Sequence, residues 1–163
     1  MPLTYNVFHS PSRSGTTAVE TMLVVTILGI VTAMGLPQMR TAMAKAGLRA
    51  ARADVTTFTA LARAAAVQRS CGSVLHLSGA DARVWVTACP RYAPGSGTVD
   101  TLVPVDDLGS RYHTSLTATD DSVQFDPRGL RSEYRTTVVR LAGSGISNLD
   151  SIIINPLGKV VRP

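Results

Sequence analysis

The sequence predicts an α+β protein: one long N-terminal helix, transmembrane in its first part and amphipathic in its second, followed by a small β-rich head. Three observations carry that class. Residues 18–36 read AVETMLVVTILGIVTAMGL, with Glu20 as the only charge. Residues 38–70 are rich in Ala, Leu and Arg, which form helix readily. From Cys71 onward, short runs of β-branched residues alternate with Gly, Pro, Asn and Asp. At 163 residues the chain can hold one membrane helix and one modest globular domain, not two.

The first segment, MPLTYNVFHSPSRSG, is polar, and the apolar stretch after it lacks the small-residue exit of a secretory signal. The obvious cut falls earlier, after Gly15, and would leave the helix in place. The 19 residues from Ala18 to Leu36 would span ~28 Å as a helix, close to the hydrocarbon thickness of a bilayer. An ionisable group at mid-membrane costs about 2.5–3.5 kcal/mol, less near an end. Glu20 therefore needs a partner, which can lie on another chain. The plainer alternative is an ordinary anchor whose Glu20 snorkels to the headgroups.

Beyond Pro37, which is expected to bend the helix where it leaves the bilayer, the pattern turns amphipathic. Leu48, Ala51, Val55, Phe58, Ala62 and Ala65 recur at spacings of three and four, while Arg49, Arg52, Asp54 and Arg63 fall largely off that stripe. Cys71-Gly72 is the expected end. Strands are expected at 73–77 and 83–88, joined by the five residues 78–82 in a hairpin. Pairing Leu77 with Arg83 would set Leu75 opposite Trp85 and Cys71 opposite Cys89.

Those two cysteines suit neither a zinc site nor a CxxC motif. One structural disulfide fits them and would fit an extracytoplasmic compartment; the alternative is two buried free thiols. Residues 90–122, with Pro90, Pro94, Gly95, Gly97, Pro104 and Gly109, read as loop. Val123-Gln124-Phe125 leads into the turn Asp126-Pro127-Arg128-Gly129. Further strands are expected at 136–141, 151–154 and 159–162.

Two stretches carry a resemblance. Gly15-Thr16-Thr17-Ala18-Val19-Glu20 resembles the prepilin-peptidase motif of type IV pilins and type II secretion pseudopilins. VQFDPRG followed by SIIINPLGKVVR resembles the C-terminal half of the GspH/FimT family of minor pseudopilins and pilins. The resemblance implies a pilin-like fold in which the helix packs on a small antiparallel β-sandwich. It divides the chain into a leader (1–15), a transmembrane part of the helix (16–37), an amphipathic periplasmic part (38–70) and the head (71–163). Prepilin peptidase would cut between Gly15 and Thr16, and Thr16 would become the N-methylated terminus. Glu20 would face the free α-amino group of a neighbouring pilin or pseudopilin subunit and set the register of assembly. Thr16 stands where the family commonly has Phe, and Ala18 and Val19 where it has Leu and Ile.

No HExxH, GxSxG, Walker or Rossmann pattern occurs, so no enzyme, cofactor or metal is expected. Asp106-Asp107 and Asp120-Asp121 with Asp126 match no EF-hand spacing and read as solvated loop carboxylates. The charge balance is 16 Lys+Arg against 11 Asp+Glu, and fourteen of the basic residues are Arg. Arg128, Arg131, Arg135, Arg140, Lys159 and Arg162 crowd the last third, a candidate surface for DNA phosphates. Some FimT-like proteins take up DNA through a Gly-Arg-x-Arg segment, and Gly158-Lys159-Val160-Val161-Arg162 departs from it by one substitution and one extra residue. The expected function is a minor pseudopilin of a type II secretion system, held in the inner membrane with its head in the periplasm. The alternative is a FimT-type minor pilin that binds DNA.

Overall fold

The computed structural model describes residues 17–91, 97–145 and 149–161. Gly15, Thr16, the rest of the expected leader and Arg162 lie outside them. The chain divides into two compact units, Met1–Gln38 and Met39–Pro163.

Helix α1 (Ala18–Arg69) is the first element and contains Pro37. In the first unit it is apolar all round, and its large side chains from Val19 to Leu36 are exposed. It is long and apolar enough to cross a membrane. In the second unit Leu48, Ala51, Val55, Thr59, Ala62, Ala65 and Ala66 are buried. The predicted stripe is therefore the packing face, with Phe58 half-buried at its margin. The helix closes at Arg69: Ser70 adopts a left-handed conformation (φ 51°) and the Cys71 amide donates to the Ala66 carbonyl at 3.1 Å.

Two antiparallel four-stranded sheets complete the second unit. One has the order β3-β2-β1-β5 and the other β4-β6-β7-β8. The strands are β1 (Ser73–Ser78), β2 (Arg83–Ala88), β3 (Asp100–Asp107), β4 (Thr114–Ala118), β5 (Ser122–Phe125), β6 (Thr137–Gly143), β7 (Leu149–Ile154) and β8 (Val160–Val161). Leu75, Leu77, Val84, Val86 and Val123 of the first sheet share one core with Leu116, Val139, Leu141, Ile152 and Ile154 of the second and with the buried stripe of α1. Period-two burial along β1, β2 and β6 gives each sheet one apolar face.

The hairpin differs from expectation by one residue. Ser78 pairs with Arg83, so Leu75 faces Val86 and His76 faces Trp85. A one-residue slip exchanges the two faces of a strand. The observed register puts Leu75, Leu77, Val84 and Val86 together in the core, and on the other face His76 stacks on Trp85 with ring centroids 4.7 Å apart. The disulfide forms nonetheless, because Cys71 and Cys89 lie beyond the paired strands, with Cα atoms 6.3 Å apart.

The expected loop at 90–122 contains strand β3, the short helix α2 (Leu108–Tyr112) and strand β4. Pro104 does not exclude β3, because β3 is an edge strand and its pairing with β2 shifts register on both sides of Val86. Asp107 caps α2 by accepting from the Ser110 amide at 2.8 Å. That bond is the main reason the Asp107 carboxyl is held below its usual range. Among the described residues the last strand is Val160–Val161, and Lys159, expected to begin it, precedes it.

Candidate functional site

The apolar helix begins at a capped end. The Glu20 amide lies 3.0 Å from the Thr17 carbonyl and 3.4 Å from the Thr17 hydroxyl. A carboxylate in the first turn suits the positive end of the helix dipole. The hydroxyls within the segment are turned back on the backbone: Thr21 donates to the Ala18 carbonyl at 2.9 Å and Thr32 to the Leu28 carbonyl at 2.8 Å. Each hydroxyl is thereby satisfied without water, as a lipid or helix-packed environment requires. Glu20 has no cationic partner among the described residues. Around it, Val19 and Met22 are both 75% exposed.

In the head, Phe125 is buried, and the turns that follow β5 and β7 close over it. A Cβ on Gly158 would stand 2.9 Å from the Phe125 ring, and one on Gly129 would stand 2.9 Å from a Val67 methyl of α1. Both glycines have positive φ, 71° and 77°. Only glycine meets both demands without strain. The phrases FDPRG and NPLGK are therefore paired turns resting on each other and on the helix.

The basic residues of these segments separate into two sets. Arg131 is buried, its side chain 1% exposed, 3.6 Å from the Asp120 carboxylate. Arg131 also donates to the Arg135 carbonyl, and the Thr137 hydroxyl donates to Asp120. Arg135 reaches Asp120 at 3.1 Å and Glu133 at 2.6 Å. Arg128 reaches Asp126 at 3.1 Å, and Asp126 also accepts from the Arg128 and Leu130 amides. The Leu130 amide is the main influence lowering the Asp126 carboxyl. The second set carries no ion pair among the described residues. Arg140 stands on the outward face of β6 between Thr117 and Ser151, and Lys159 lines a groove of about 490 Å³ beside α1.

Sequence reasoning did not bring out Arg63, which lines that groove with Lys159 and touches the Gly129 turn. Only its position off the apolar stripe pointed outward. The expectation that Asp120 and Asp106 are solvated loop carboxylates is corrected: Asp120 is 7% exposed and pairs with Arg131 and Arg135, and Asp106, in β3, is 14% exposed and pairs with Arg111. Arg69 joins the helix end to the disulfide, donating to the Cys89 carbonyl at 2.6 Å and pairing with Asp100 at 2.8 Å.

A long N-terminal apolar helix and a head of two antiparallel sheets wrapped on its continuation define the fold as pilin-like. No family model matches the chain, and no curated protein matches it. Among solved structures, the chain is similar to the type IV minor pilin FimU of Pseudomonas aeruginosa in two crystal forms. One has a TM-score of 0.57 at 10% identity, over 73% of this chain and 90% of that one. The other has a TM-score of 0.55 at 12% identity, over 71% and 92%.

Proposed function

We propose that this chain is a minor pilin-class subunit that acts by assembling with other such subunits. The observation that carries the reading is the union of a pilin-like head, whose core is complete, with a helix whose apolar side chains are uncovered around one unpaired carboxylate. Prepilin peptidase cuts after Gly15 and the new terminus Thr16 is methylated. In the assembly each Glu20 meets the terminal amine of a neighbour, because a charge in low dielectric is tolerated when paired. The test uses the full chain in membranes of cells that make it, with Ile27→Cys as the added thiol. Oxidation is expected to cross-link it to other pilin-class subunits that carry a cysteine introduced in the same apolar helix, and Glu20→Ala to reduce those cross-links about a hundredfold. Monomer alone in both would overturn the reading.

We further assign the subunit to a type II secretion pseudopilus, anchored in the inner membrane with its head at or near the filament tip in the periplasm. What supports this over DNA uptake is that Arg128, Arg131 and Arg135 are paired within their own head, which lowers the charge available to phosphates. The second reading, a DNA-binding minor pilin, is supported by Arg63 and Lys159 on one groove, neither in an ion pair among the described residues, while the likeness to FimU supports only its minor-pilin part. Titration of the full chain in detergent with duplex DNA across a salt series separates them. Binding that weakens steeply with salt, and less so after Arg63→Ala with Lys159→Ala, moves the assignment to DNA uptake. No binding at low salt keeps it with secretion.

A further inference from the structure

We infer that the segment just beyond the apolar helix is a docking site for anionic lipid headgroups, an inference that rests on the membrane-anchor reading. No carboxylate occurs between Glu20 and Asp54, while Arg40, Lys45, Arg49 and Arg52 do. Arg52 is paired with Asp150 at 3.2 Å. The other three carry no ion pair among the described residues and are exposed. Met39 and Met43, 57% and 61% exposed, stand among them. Exposed apolar side chains interleaved with cations are the composition of a surface at the boundary of acyl chains and headgroups.

The site is also concave. Arg40, Met43 and Gly47 form one wall of a groove of about 380 Å³, and Arg111, Tyr112 and His113 form the other. Gly47 lets the helix backbone approach that wall closely, since a Cβ there would stand 3.0 Å from the Tyr112 carbonyl oxygen. Arg111 is shared with Asp106 at 2.9 Å, so Arg40 is the groove's unpaired cation.

Two arguments select lipid over another anion. Arg40 follows Leu36 by four residues, so the chain cannot carry it more than about 14 Å from the end of the apolar segment. As helix the same four residues rise only about 6 Å, which falls within the headgroup layer of about 5–8 Å on each side. At about 100° per residue, Lys45 and Arg49 project from roughly the opposite side of the helix to Arg40. A one-sided partner would meet only part of such a collar, whereas headgroups surround an emerging helix.

The full chain is to be reconstituted in mixed vesicles of phosphatidylcholine and phosphatidylglycerol, and the lipids retained on gentle extraction quantified by native mass spectrometry. Phosphatidylglycerol is expected to be enriched, and the enrichment to fall about fivefold for each cation removed in Arg40→Gln and Lys45→Gln. Equal retention of both lipids, or enrichment unchanged in the double variant, overturns the proposal while leaving the anchor intact. Failure of the chain to float with pure phosphatidylcholine vesicles overturns the anchor reading itself, and this proposal with it. Duplex DNA held by the same residues, with no lipid preference, assigns the collar to nucleic acid and also overturns it.

Discussion

Helix α1 runs through both units, and its side chains meet opposite fates in them. Between Ala18 and Leu36 the large apolar residues are 53–75% exposed, and nothing among the described residues covers them. Between Leu48 and Ala66 the packing face is at most 6% exposed, closed by two sheets. The backbone hydrogen-bonding is the same; what differs is where the apolar surface finds its cover. The head is satisfied from its own sequence, whereas the apolar surface of the first unit is left uncovered by the described residues, and on the proposed function other subunits complete it. An incomplete element attached to a complete one is what an assembling subunit needs, because its partner can be changed without unfolding its head.

That contrast can be broken in the first unit at Glu20. Glu20→Ala removes the single charge of the apolar segment 18–36 and, on the proposed assembly, leaves the neighbour's amine unpaired. If that costs about 2.5–3.5 kcal/mol, incorporation into filaments falls on the order of a hundredfold, read by cross-linking. The urea unfolding midpoint of the head is expected to stay where it was.

The converse variant acts on the head alone. Asp120→Asn leaves Arg131, with its side chain 1% exposed, without its carboxylate. Breaking a buried pair from one side costs about 3–5 kcal/mol, so the urea midpoint drops while membrane insertion is unchanged. Reducing the Cys71–Cys89 bridge, which joins residues 18 apart, is expected to cost about 3 kcal/mol. Equilibrium unfolding with and without a reductant measures it.

The smallest effect is in acid. The Asp107 and Asp126 carboxyls lie below the ordinary aspartate range, chiefly because backbone amides donate to them. Their contribution is therefore present above the unfolded-state value and lost as pH falls through the lower folded-state values. Below pH ~4 stability declines, and Asp107→Asn with Asp126→Asn should flatten that limb of the acid-unfolding curve.

The helix was legible because its signals are local and redundant: an unbroken apolar run, then a stripe at spacings of three and four. The strands 83–88 and 151–154 were legible for the same reason. Strand β3 was not, because Pro104 reads as a breaker unless the strand is known to lie at an edge, which depends on its neighbours. The hairpin register slipped because His76 and Trp85 read as ordinary strand residues, and their stacking appears only once the faces are assigned. The basic cluster looked continuous along the chain. Asp120, Glu133 and Asp126 neutralise three of its members through contacts that folding alone creates.

The central claim is that the chain is processed into a subunit whose helix is completed by its neighbours. The most direct measurement is the mass spectrum of the N-terminal peptide of the protein recovered from membranes of cells that make it. The account predicts a peptide beginning at Thr16 and carrying one methyl group on its α-amine. A peptide beginning at Met1, or an unmodified Thr16, would contradict it.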